Sequence, residues 1–237
     1  DAVLLLTSPA NTASGSTFSL GTTTVNWKVT DASGNSATCN FTVTVSDAQP
    51  PGIACPANIA RNTDVDQCSA VVTYTAPTTS DNCGSATLTL ISAAGTASGS
   101  TFPKGANTVI WKATDEAGLT ATCSFIVNVI DGQTPTINCP VSQTKNNDPN
   151  QCTASVTYPT PTATDNCSPA PTLSWVSGGP APTPSGANSV AVYPKGTTTV
   201  VWKATDGAGL TKTCTLRVTV NDTQVPTITC PNSPSLM

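Results

Sequence analysis

The chain has 237 residues, 9% of them charged, a formal net charge of −4, ten cysteines and no histidine. Its nine basic residues stand singly, which argues against nucleic acid or an anionic membrane surface as a partner, since both need clustered Lys and Arg. The absence of His removes Ser-His-Asp and Cys-His catalysis, and no apolar run approaches the roughly 20 residues of a membrane span.

Twelve of the 13 acidic residues are Asp and one, Glu116, is Glu, which favours turns and caps over helix. In chain order, Val25, Trp27 and Val29 share one face of a predicted strand, and Cys39, Phe41, Val43 and Val45 share a face of the next. An Asp31-to-Gly34 turn joins them as a hairpin. A linker, Asp47-Ala-Gln-Pro-Pro, leads to Ile53 and Cys55, where Pro56 suits an edge strand. Cys68, Ala70, Val72 and Tyr74 then alternate, followed by Asp81-Asn-Cys83 and a variable stretch that ends in Thr101-Phe-Pro-Lys-Gly105. The hairpin returns as Val109, Trp111 and Ala113, a turn from Asp115 to Gly118, and Cys123, Phe125, Val127 and Val129.

The whole series then recurs. The linker Asp131-Gly-Gln-Thr-Pro leads to Ile137, Cys139 and Pro140, and Cys152, Ala154, Val156 and Tyr158 alternate. Asp165-Asn-Cys167 follows, and a hairpin carries Val200, Trp202 and Ala204, a turn from Asp206 to Gly209, and Cys214, Leu216, Val218 and Val220. Asp222-Thr-Gln-Val-Pro opens the series once more, with Ile228, Cys230 and Pro231. Seven additional residues fall between Cys167 and Tyr193, where Pro180, Pro182 and Pro184 predict a surface loop.

Self-similarity at a fixed period makes the chain a string of similar modules. Residues 1–47 read as the second half of one module, since Asp1 aligns with Ser85; 48–132 and 133–223 read as complete modules; and 224–237, ending at Met237, opens another. About seven short strands per module without helix predict an all-β fold of tandem two-layer sandwiches, joined by proline-stiffened linkers as a rod of beads. Ten cysteines at fixed spacing, none as a CxxC pair, point to disulfides and an oxidising compartment rather than to zinc.

These residues resemble the HYR (hyalin repeat) family: Ile53 to Pro56, Gln67 to Val71, Asp81 to Cys83, Phe102 to Gly105 and Ala113 to Val129 follow its pattern. The second copy matches from Ile137 to Val220, with Tyr193 for Phe and Leu210 where Asn is usual. The resemblance implies immunoglobulin-like extracellular modules associated with adhesion, and it carries over no catalytic residue.

With four cysteines per module, three connectivities are open. Strand parity and the habit of other sandwiches favour Cys55–Cys123 and Cys139–Cys214, leaving Cys68–Cys83 and Cys152–Cys167, with Cys39 and Cys230 paired outside the chain. Family members that lack one of the second pair tend to lack the other. The rival is Cys55–Cys68 with Cys83–Cys123; a third scheme, Cys39–Cys55, spans a strand that separates the two by about 20 Å or more.

Two readings remain for the Asp residues. Asp47, Asp131 and Asp222 sit at module junctions, with Asp81 and Asp165 near them, and oxygen ligands suit calcium. Capping of turns is the plainer reading. Asn40, Asn166 and Asn221 stand in N-x-S/T sequons. No other cofactor and no enzyme activity is expected. The expectation is a structural and adhesive repeat of an extracellular or cell-surface filament, associating with further copies of itself or with surface glycans or proteins. The alternatives are a ligand-binding module using the loop from Ser177 to Val192, and a spacer in a large secreted enzyme.

Overall fold

The computed structural model describes residues 2–8, 12–167, 170–185 and 187–230, the side chains of 184 and 185 excepted. Asp1, Pro231 and Met237, on which the sequence reading drew for the limits of the repeat, lie outside them. Among the described residues every regular element is a strand, and no helix is long and apolar enough to cross a membrane. The chain divides into two compact units: Asp1–Ala60 with Val71–Phe102 and Ala106–Asn128, and Arg61–Ala70 with Pro103–Gly105 and Val129–Met237.

Within the first unit, Val3–Leu6, Gly21–Thr30 and Ser36–Val45 form an antiparallel sheet. Its hairpin pairs run from Gly21↔Val45 to Thr30↔Ser36, closed by residues 31–35, and set Trp27 opposite Cys39. The predicted alternation holds here because the period-two pattern of Thr and Val suits a pleated strand.

The second unit contains a complete sandwich. One sheet runs Gln143–Asn146, Thr211–Asn221, Gly196–Thr205, Thr172–Ser177; the other runs Thr153–Pro159, Asn188–Pro194, Thr183–Ser185. Between them lie Ala154, Val156, Tyr158, Ala191, Tyr193, Val200, Trp202, Leu216, Val218 and Val220; all but Ala191 and Tyr193 belong to the alternating series read from the sequence. Trp202 is opposite Cys214 in the hairpin and opposite Trp175 on the other side. Tyr158 and Tyr193 share a buried hydroxyl contact at 3.1 Å. Burial, then that contact, pushes the Tyr193 hydroxyl well above its ordinary range.

Two expectations need correction. Residues 130–221 hold nine described strand segments where about seven are predicted, because the opening strand is broken at Pro140. Thr136–Asn138 pairs with Thr162–Thr164, and after the proline, which has no N–H to donate, Gln143–Asn146 pairs in parallel with the last strand. The longer stretch before Tyr193 is likewise not all loop: Thr183–Ser185 pairs with Asn188–Val190. Pro184 is accommodated there on an edge strand.

Phe41, Phe125 and Leu216 occupy one repeat position with unequal cover: Phe41 is 53% exposed, Phe125 3% and Leu216 2%. Leu216→Ala is therefore expected to cost about 2–5 kcal/mol of unfolding free energy. Phe41→Ala should stay within about 1 kcal/mol. Chemical denaturation of the two variants checks the difference.

Candidate functional site

The hairpin turns place one Asp each. Gly118 and Gly209 adopt φ of 87° and 85°, conformations that favour glycine, and close the turn. Asp115 Oδ1 then accepts from the Leu119 amide at 2.8 Å, and Asp206 Oδ1 from those of Ala208 and Leu210 at 2.8 and 2.9 Å. In the first hairpin Asp31 Oδ1 accepts from the Ser33 and Asn35 amides, while Asn35 Nδ2 donates to Oδ2 at 3.1 Å. That side-chain bond leads in holding the Asp31 carboxyl below the usual carboxylate range. Leu119 and Leu210 replace Asn35 and bring no donor. Oδ2 of Asp115 and of Asp206 is consequently buried without a hydrogen-bond partner.

The Asp-Asn-Cys segments follow the same division of labour. Asp81 Oδ2 accepts from the Cys83 amide at 3.0 Å while its Oδ1 is buried and unpartnered. Asp165 Oδ2 accepts from the Cys167 amide at 2.9 Å. At the hairpin exits, Asp47, Asp131 and Asp222 use Oδ1 to accept from the amides of Gln49, Gln133 and Gln224.

These positions converge. One carboxylate oxygen from each of Asp47, Asp81 and Asp115 lies within 4.8 Å of the others, and Asp131, Asp165 and Asp206 repeat the arrangement. Of the three calcium candidates in the sequence, Asp47 and Asp131 thus join clusters. Asp222 joins none among the described residues; it takes Lys195 Nζ at 2.9 Å. Asp115 and Asp206, read from sequence as turn caps, cap with one oxygen and turn the carboxylate into the cluster as well. In the second cluster Lys104 Nζ stands 3.0 Å from Asp131 Oδ2.

The linkers hold a feature that the sequence reading missed. Asp66 and Asn150 have positive φ, 58° and 59°. Gln133 Oε1 accepts from the Asp66 amide at 2.9 Å and its Nε2 donates to Asp66 Oδ1 at 2.8 Å. Gln224 and Asn150 repeat both bonds at the same distances. The signal was present: a Gln stands two residues after the junction Asp in all three linkers.

The structure joins Cys55 to Cys123 and Cys139 to Cys214, with Cα atoms 5.7 and 5.8 Å apart. The remaining expected pairs, Cys68–Cys83 and Cys152–Cys167, are overturned: Cys68 is bonded to Cys167, with Cα atoms 4.7 Å apart. The reason is local. The Asp66–Gln133 clamp and a 2.7 Å bond from Asn166 Nδ2 to the Gln67 carbonyl set the Gln-Cys segment against the next Asp-Asn-Cys segment. Parity within one module cannot reveal that pairing. Cys39, Cys83, Cys152 and Cys230 are free thiols. The Asn166 side chain is engaged in this junction, so its sequon is a structural position here.

Three outcomes follow. Non-reducing peptide mapping should recover Cys68 linked to Cys167. Burial first, then the charge and hydrogen bond of Asp47, pushes the Cys83 thiol up, so Cys83 should alkylate more slowly near neutral pH than exposed Cys39 and Cys152. The Lys195 hydrogen bond holds Asp222 below the usual carboxylate range and raises Lys195. The pair is complete at neutral pH, lost as pH falls through the lowered Asp222 value and lost as pH rises through the raised Lys195 value. A carboxyl NMR titration midpoint for Asp222 at or above that of an ordinary aspartate would contradict this.

The HYR domain family matches residues 6–45, 46–129 and 130–220. Hyalin of Strongylocentrotus purpuratus is 33% identical over 232 residues, covering 93% of this chain and 18% of that protein. Hyalin of Lytechinus variegatus is 31% identical over 227 residues, covering 92% and 40%. The chain thus spans less than half the length of either relative. Among solved structures, PcdhgB3 EC1-4 aligns at a TM-score of 0.39 and 13% identity over 94% of this chain and 65% of that one. The disulfide-bearing β fold and these relatives place the chain outside the cell or at its surface. The chain belongs to the HYR domain family.

Proposed function

We propose that the chain is a structural and adhesive repeat region of a long adhesin or filament, in which successive modules are bolted to one another. The carrying observation is the Cys68–Cys167 bond, which runs from the module at 46–129 to the module at 130–220. Cys152 stands beside the Asn150–Gln224 clamp as Cys68 stands beside Asp66–Gln133, and Cys83 holds the repeat position of Cys167. In a longer array of such modules, Cys152 and Cys83 are the natural ends of the same bond to neighbours on either side. Edge strands such as Thr87–Leu90 and Thr172–Ser177 offer backbone groups for strand addition by further copies or by surface proteins. The role requires no catalytic group.

Single-molecule stretching between the chain ends tests the mechanical part. Cys55–Cys123 and Cys139–Cys214 withhold sequence separations of 68 and 75 residues from extension. Complete unfolding should therefore gain about 50 nm more contour under reducing than under oxidising conditions. Equal extension in both would overturn it. For the assembly part, electron microscopy of the longer native polypeptide should show filaments with a regular module repeat; dispersed, flexible monomers would count against the filament.

A further inference from the structure

Besides the free Cys83 thiol beside the first and the disulfide-bonded Cys167 beside the second, the two aspartate clusters differ in one residue that sequence register singles out. At two junctions a Lys precedes the first glycine of the hairpin and meets the Asp that follows its second strand: Lys104 with Asp131 at 3.0 Å, and Lys195 with Asp222 at 2.9 Å. In the first hairpin that place before Gly21 belongs to Leu20, and the matching exit Asp is Asp47. Leu20 is 51% exposed and can bring no charge. Three carboxylates therefore meet at Asp47, Asp81 and Asp115, and among the described residues no ammonium group pairs with them as Lys104 pairs with Asp131.

Such a cluster alone would be only an acidic patch. What makes it a site is that Asp115 is 7% exposed and keeps a buried, unpartnered Oδ2, with a further unpartnered oxygen on Asp81. Water does not reach these atoms, and like charges at this separation repel strongly unless a cation stands among them. A turn bond to one oxygen fixes each carboxylate in place, and the Cys83 thiol lies against Asp47. Carboxylate oxygens are the ligands of hard divalent ions, with water and carbonyl oxygens able to complete the shell.

We propose that Asp47, Asp81 and Asp115 bind calcium, and that Lys104, by occupying the charge of Asp131, leaves Asp131, Asp165 and Asp206 a weaker site for the same ion. The Leu or Lys before the hairpin glycine is then the residue that sets cation affinity at each junction. This does not rest on the adhesive role, and its test reads ion binding alone.

The test is calorimetric titration of calcium into the chelator-stripped chain carrying Cys83→Ser, so that the thiol beside Asp47 does not contribute. One event with a dissociation constant of about 0.1–1 mM is expected, with a second, weaker one. Leu20→Lys should weaken the first about tenfold or more, and Lys104→Leu should strengthen the second by a similar factor. Asp115→Asn should remove the first event while raising the thermal midpoint of the calcium-free protein. Absence of binding at several millimolar calcium would overturn the proposal. So would stabilisation by Asp115→Asn that persists unchanged when calcium is added, since that reports relief of repulsion and no ion. Unaltered affinities in Leu20→Lys and Lys104→Leu would overturn the selecting role of that position.

Discussion

The register of the long hairpin is the constraint on which the rest depends. Gly21 pairs with Val45 and Gly196 with Val220, and the ten-residue ladders between them admit no insertion. Because side chains alternate strictly, a one-residue slip would turn the Val, Trp and Phe or Leu positions outward and the Thr positions inward. A fixed ladder also fixes both of its ends. The turn Asp, the residue before the first glycine and the exit Asp are carried to set places, which is how carboxylates far apart in sequence meet. All seven additional residues of the longer module lie outside this hairpin.

Packing alone holds these modules modestly. Aromatic residues make up 5% of the chain, and the core of the second unit relies on valines and alanines around two tyrosines and a tryptophan. Closing loops of this size contributes roughly 3–5 kcal/mol per bond in the chain-entropy description. That is comparable with much of the net stability of a small domain. The disulfide between the first strand and the last is therefore a structural element of the same rank as the sheets. The sheet of residues 3–45 shows what its strands look like without an opposing layer among the described residues: Leu4, Leu5 and Phe41 remain exposed.

Much of this was legible in the sequence because it depends on period two and on turn chemistry, which are local. Hairpins, inward faces and the junctional aspartates all follow from spacing. The partner of Cys68 did not, since face parity within a module is silent about what stands across a junction. The family habit of losing two cysteines together fits a bond between successive modules as well as one within a module. Asp115 and Asp206 were legible as caps but not as cluster members: that role needs one spare oxygen, and Asn35 shows how a single neighbouring side chain removes it. Gln133 was not legible because its hydrogen bonds run to a residue 67 positions away, which linker spacing does not reveal.

The three bonds also interlace. The loops Cys55–Cys123, Cys68–Cys167 and Cys139–Cys214 overlap in sequence, so every peptide bond from 55 to 214 lies inside at least one of them. A protease that nicks the backbone once anywhere in that interval releases no fragment. Without the middle bond, the stretch between Cys123 and Cys139 would be the one place within that interval where a single cut severed the chain. That stretch is the linker, the kind of segment that proteases reach first. Cys68–Cys167 thus makes the linker that begins at Asp131 a point where breakage does not part the molecule.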